Sequence, residues 1–147
     1  MIISMGSDHG GFELRKALKE KLIQEGITII DHGPFTHERV DYPDYAALVA
    51  KDIIEKKADF GIRMCTTGIG VSISANKFHG IRAAKVDTDD EAEFSRRHNN
   101  ANIICFGGKY HTPYMADRLT NVFIKTPYEG GRHDQRLHKI TEIENQC

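Results

Sequence analysis

Four short stretches of the chain carry side chains able to do acid–base or anion chemistry. Asp8-His9 follows the first apolar run, and Cys65-Thr66-Thr67-Gly68-Ile69-Gly70 follows a later one. His98-Asn99 closes a segment rich in arginine, and Arg132 and Arg136 open the last amphipathic segment. The Cys65 stretch sets a thiol, two hydroxyls and two glycines between an apolar run and a helix-compatible segment. Backbone N–H groups at a turn leading into a helix form a shell that can hold an anion. The same helix start favours thiolate over thiol. This stretch therefore reads as a reactive thiol beside an anion cradle.

Each group also has an ordinary structural use. Cysteine is among the most buried residue types, so Cys65 alone would be assigned to the core. Asp8 can cap the helix that follows it. His98 can sit at a helix end, stabilised by the dipole. Arg132 and Arg136 are four apart and share a helix face. Leu137, Ile140 and Ile143 lie on much the same side. Guanidinium groups turned toward a packed side generally hold a partner such as a phosphate.

Position in the fold separates these readings. Ile2 to Met5 reads as a strand, and Phe12 to Glu25 as a helix with Leu14, Leu18 and Leu22 on one face. Strands follow at 27–30, 60–64, 81–86 and 102–106. Helices are expected from Pro43 to about Lys56, after Gly70, at 89–98 behind a Thr88 cap, at 113–124 and at 132–144. This alternation predicts one α/β domain over residues 1–147. The expected architecture is a three-layer αβα sandwich around a Rossmann-like, five-stranded parallel sheet in the order 2-1-3-4-5.

In such a sheet, ligands bind beyond the carboxyl ends of the strands where the order reverses. That place, between the first and third strands, receives Asp8-His9 and the Cys65 loop. His98, Asn99, Arg132 and Arg136 fall at the opposite, amino edge. One site using both sets has to be shared between subunits. A homodimer or homotetramer is therefore expected, with the last helix packing on its partner.

Composition narrows the class. Net charge is −1 with both signs interspersed, so no basic surface for nucleic acid is indicated. No apolar run reaches the roughly 18 residues that span a bilayer. Neither a signal peptide nor a membrane partner is expected. Cys65, Cys105 and Cys147 are too few and too scattered for a disulfide framework, which fits a reducing cytoplasm. The sequence has no C-x-x-C or H-E-x-x-H, and His133 and His138 are five apart and off one helix face. No metal or other cofactor is expected.

Two other classes place a cysteine at the head of a phosphate loop after a strand. A tyrosine phosphatase needs an arginine shortly beyond that cysteine, and Thr66 to Ser72 contains none. A phosphocysteine carrier stays open on the loop alone. A nucleotide-binding or regulatory module would have no need of Cys65.

Taken together, the motifs resemble those of the ribose-5-phosphate isomerase B family, which includes allose-6-phosphate and galactose-6-phosphate isomerases. The resemblance runs essentially end to end. It rests on Gly6-Ser7-Asp8-His9-Gly10-Gly11-Phe12, Asp41-Tyr42-Pro43-Asp44-Tyr45, Cys65-Thr66-Thr67-Gly68-Ile69-Gly70 and Ser74-Ala75-Asn76-Lys77 with Gly80-Ile81-Arg82-Ala83. It continues in Arg97-His98-Asn99 and in Tyr128-Glu129-Gly130-Gly131-Arg132-His133 with Arg136. It implies a metal-independent aldose–ketose isomerase acting on a sugar phosphate through a cis-enediolate. Cys65 would be the base moving a proton between carbons 2 and 1, assisted by Thr67, with the amides of Thr66, Thr67, Gly68, Ile69 and Gly70 around the enediolate oxygens. His98 would donate the proton that opens the furanose ring, complemented by Asp8. His9, Arg132 and Arg136 would bind phosphate, Asn99 the sugar hydroxyls, and Tyr42 would line the crevice. Two positions depart from the family pattern. Thr66 stands where glycine is common, and is either strained at positive φ or narrows the crevice. Lys109 stands where many relatives carry arginine, keeping the charge for the substrate without the bidentate fork.

Overall fold

Ile103-Ile104-Cys105-Phe106 is an unbroken apolar run, and such runs belong inside a sheet covered on both faces. In the computed structural model, which describes residues 1–147, it forms β5 (Ile103–Gly107), a strand buried along its whole length. The other strands are β1 (Ile2–Ser7), β2 (Thr28–Asp31), β3 (Phe60–Cys65) and β4 (Ala83–Lys85). All pair in parallel, in the order β2-β1-β3-β5-β4.

This corrects the expected order 2-1-3-4-5: β5 lies inside and β4 at the edge. The reason is legible in the two strands. Ala83-Ala84-Lys85 is short, small and charged, and all three residues are only partly buried. Those are the properties of a tolerable edge. Bringing β5 inside covers more apolar surface than leaving it outside would. The reversal between β1 and β3 is unaffected, so the expected crevice keeps its place.

The three-layer sandwich is as expected. Helices α1 (Phe12–Gln24), α4 (Asp89–Arg97) and α5 (Pro113–Lys125) cover one face, and α2 (Tyr42–Ile54) and α3 (Ile69–Ala75) the other. Strand alternation sorts the core accordingly. Ile62, Met64, Ile104 and Phe106 pack with Leu14, Leu18, Leu119 and Phe123. Cys65, Ile103 and Cys105 pack with Val49, Ala50, Val71 and Ala75. Helix α4 starts in a full capping box, with the Glu91 N–H donating to Thr88 Oγ1 at 3.2 Å and Glu91 Oε2 accepting from Thr88 N at 3.1 Å.

Helix α6 (Arg132–Glu144) is different. Ile140 is 40% exposed and Ile143 is 61% exposed, so the apolar stripe read in the sequence is left uncovered within one chain. Its ties to the body are few: the Gly80 N–H donates to the Glu144 carboxylate at 3.2–3.3 Å, and His133 stacks on His98 with ring centroids 4.4 Å apart. A groove of about 600 Å³ lies beneath it, lined in part by Asn76, Phe78, Asn99, Ile140 and Ile143. No helix is long and apolar enough to cross a membrane.

Candidate active site

The Cys65 loop is built by one glycine. Gly68 takes φ +81° at the N-cap of α3, a conformation that L side chains resist. A Cβ there would also stand 2.8 Å from the carbonyl carbon of Phe106. The turn therefore folds back tightly against β5, and the Gly68 N–H reaches Cys65 Sγ at 3.1 Å. The Ile69 N–H donates to Thr67 Oγ1 at 3.2 Å. The amides of Thr66 and Thr67 find no acceptor within the chain, so two donors beside the thiol stay available to an oxyanion. Cys65 itself is 5% exposed, at the carboxyl end of β3.

Thr66 resolves one of the two departures. The positive φ falls on Gly68 and not on Thr66, so the β-branched residue carries no backbone strain. Its hydroxyl packs directly over Gly10, and the side chain is exposed. Lys109 adjoins the same loop: its N–H donates to the Thr66 carbonyl at 3.0 Å, and its side chain is exposed.

Across the crevice, Asp8 caps the short 3-10 turn His9–Gly11. Its Oδ1 accepts from the N–H groups of Gly10 at 2.8 Å and Gly11 at 3.1 Å. Asp8 is thus both cap and crevice wall. His9 is exposed, and its Nδ1 accepts from the Val40 N–H at 3.4 Å. The crevice beside them measures about 310 Å³ and is lined by Asp8, His9, Arg39, Val40, Asp41 and Tyr42. The Tyr42 ring lies over Gly70, within 3 Å of where a side chain would begin.

The remaining predicted residues form a second group at the amino edge of the sheet. His98 C-caps α4 and stacks between Phe94 and His133. The Glu129 N–H donates to the Arg97 carbonyl at 3.0 Å, which seats Tyr128 to Gly131 against the end of α4. Asn99, Arg132 and Arg136 are exposed. The separation from Cys65 follows from the register. The Gly61 N–H donates to the Asn102 carbonyl at 2.9 Å, and Cys65 lies four residues further along β3, about 13 Å away at strand rise. One chain holds two separate groups of predicted residues.

Sequence reasoning did not single out several neighbours of these groups. Arg39 adds a cation to the crevice. Glu129 and buried His133 join His98, with ligand-capable atoms of all three within 4.8 Å of one another. A divalent cation could use that set, but its surroundings oppose one. Glu129 Oε2 already lies 3.4 Å from Arg97 Nη2. Burial, then the nearby charges of His98 and Arg132, hold His133 below the usual histidine range. The grouping was invisible in the sequence because His98 and His133 are 35 positions apart. His111 is a histidine used for structure: Nε2 lies 2.9 Å from the Val86 carbonyl, tying the turn after β5 to β4.

Comparison with known proteins identifies the family. The profile of the ribose/galactose isomerase family matches residues 3–140. Ribose-5-phosphate isomerase B of Escherichia coli (strain K12) is 42% identical over 142 residues, covering 97% of this chain and 95% of that protein. A ribose 5-phosphate isomerase from Thermotoga maritima superposes with a TM-score of 0.94 at 45% identity, covering 96% of this chain and 97% of its own. Ribose-5-phosphate isomerase B from Mycoplasma genitalium, solved with bound ribulose-5-phosphate, gives 0.93 at 37% identity over 99% of this chain and 97% of its own. End-to-end coverage at this identity is decisive: the chain belongs to the ribose/galactose isomerase family.

Proposed function

We propose that the protein interconverts ribose 5-phosphate and ribulose 5-phosphate through a cis-enediolate. The observation that carries this is the thiol of Cys65 held by the Gly68 N–H beside the free amides of Thr66 and Thr67. The ribulose-5-phosphate bound to the Mycoplasma genitalium relative supports the choice of substrate.

Cys65, as thiolate, takes the proton from carbon 2 and returns it to carbon 1. Negative charge moves meanwhile onto the two oxygens of the enediolate. Preorganised amides aimed at such charge are typically worth about 3–4 kcal/mol each. Thr67 assists at the hydroxyls. His98 donates the proton to the ring oxygen that opens the furanose, with Asp8 as its complement. His9, Lys109, Arg132 and Arg136 bind the phosphate, and Asn99 and Tyr42 flank the sugar.

His98, Asn99, Arg132 and Arg136 belong to the partner subunit in this reading. The separation of about 13 Å along β3 and the uncovered stripe of α6 support a shared site in a homodimer or a homotetramer. Incubation with ribose 5-phosphate in heavy water tests the assignment. Deuterium should enter the ketose, and Cys65→Ala and His98→Asn should each abolish turnover with the fold intact. Full turnover by either variant, or by a monomer at high dilution, rejects the corresponding part. Ribose 5-phosphate, allose 6-phosphate and galactose 6-phosphate compared side by side decide the sugar, with Thr66 favouring the five-carbon substrate.

A further inference from the structure

Arg63 is wholly buried, and nothing in the reaction above uses it. It stands two residues before Cys65 on β3, so both side chains leave the same face of the sheet. Its neighbours across the ladders are Gly6 on β1 and Cys105 on β5. Gly6 leaves room that the guanidinium fills: a Cβ there would meet Arg63 Nη1 at 2.6 Å. Nη2 donates to the Tyr42 carbonyl at 2.9 Å. Nε and Nη1 have no partner. Arg15, buried on the opposite face, instead pairs with Asp31 at 3.1 Å.

A buried cation without a carboxylate partner is expensive to keep. Burial pulls Arg63 down to about 10 against the opposing influence of Cys105, Cys65 and Asp8, so it still carries its charge at neutral pH. Cys105 cannot supply the counter-charge, because burial pushes its thiol up to about 12. Asp8 Oδ1 is occupied by two amides. The remaining groups around the thiol are few. Asp8 follows β1, β5 brings Cys105 with Lys85 of β4 near it, α2 brings the Tyr42 phenol, and α3 brings no titratable side chain.

We propose that Arg63 is the buried counter-cation of Cys65, a positioning residue that stabilises negative charge on its sulfur during the proton transfer. The catalytic consequence rests on Cys65 being the base. The proton from carbon 2 converts thiolate to thiol while the negative charge passes to the enediolate oxygens. Arg63 favours the ionised sulfur, so the proton is readily handed back to carbon 1. Nothing else is consumed.

The test is the pH dependence of Cys65 carbamidomethylation by iodoacetamide, followed by peptide mass mapping to separate it from exposed Cys147. The wild-type midpoint is the reference against which the variants are read. Arg63→Met should raise it by about one unit, slowing alkylation at pH 7 about tenfold. The acid limb of kcat/KM should move by the same amount, and Arg63→Lys should restore most of both. Arg63→Gln, which keeps a donor for the Tyr42 carbonyl, replaces Arg63→Met should that variant fail to fold. An unmoved midpoint in the uncharged variants overturns the proposal. Alkylation does not depend on turnover. A shifted midpoint in a protein whose Cys65→Ala form still isomerises would reject the base assignment and leave the Arg63 coupling standing.

Discussion

Substituting Gly68 by alanine separates the two demands that the Cys65 loop makes on its turn. Gly68 and Gly80 share nearly the same backbone, φ +81° and φ +82°. An alanine at either place meets the same intrinsic penalty of about 1 kcal/mol. Their surroundings differ completely. Around Gly80 a Cβ would have nothing within 4 Å, whereas at Gly68 it would stand 2.8 Å from Phe106 C and 3.0 Å from Gly107 N. Those atoms are backbone of a fully buried strand and cannot swing aside, so overpacking adds about 1–3 kcal/mol. Gly80→Ala should therefore lose about 1 kcal/mol, roughly 2–4 °C in Tm, and Gly68→Ala about 3 kcal/mol, roughly 6–12 °C. Urea unfolding of the two variants and wild type supplies the comparison. Only Gly68→Ala should also slow Cys65 alkylation, since displacing the turn removes the N–H that reaches the sulfur at 3.1 Å. Equal stability of the two variants within about 0.5 kcal/mol, which is close to the usual additivity error, would show that the contact with β5 does not shape the loop.

Other perturbations have equally definite outcomes. Burial acts to raise the Asp52 carboxyl, but hydrogen bonds from His32 at 2.6 Å and Ser4 at 2.7 Å outweigh it and leave the group low. A depressed carboxylate contributes stability that is complete above its unfolded value of about 3.9 and is lost as pH falls through its folded value. Melting curves of wild type and Asp52→Asn should thus converge in acid and separate above about pH 4. His133 is also depressed, by burial first and then by His98 and Arg132. Its unfolded form gains a proton before the folded one, so stability should fall as pH drops below about 6.5 in wild type, and less steeply in His133→Asn. Gly70→Ala would meet the Tyr42 ring at 2.7 Å; because that ring is half-exposed it should swing out, raising KM with little loss of stability, and Tyr42→Ala should cancel the difference. Thr66→Gly should widen the crevice and raise turnover of six-carbon relative to five-carbon phosphates in a substrate panel.

The sequence determined the element types and the loops that carry the candidate groups. Leu14, Leu18 and Leu22 wrote α1, Thr88 and Glu91 wrote the start of α4, and the thiol, hydroxyls and glycines after β3 marked the loop. These are local signals: helical period, cap chemistry and turn residues act within a few positions of themselves. The strand order was less accessible. Its clue, a charged and small β4 against an apolar β5, decides the pairing only when both compete for the same neighbour across the sheet.

The tertiary structure alone decided what lies behind the thiol. Arg63 reads in sequence as a charge interrupting an apolar strand. Only the register that sets it opposite Gly6, with the Tyr42 carbonyl above, turns it into a buried cation two residues from Cys65. Likewise, only folding stacks His98 on His133 and leaves the α6 stripe uncovered. The types of group available to a site follow from local sequence. Their distances and electrostatic environment depend on residues that strand pairing brings together from far apart in the chain.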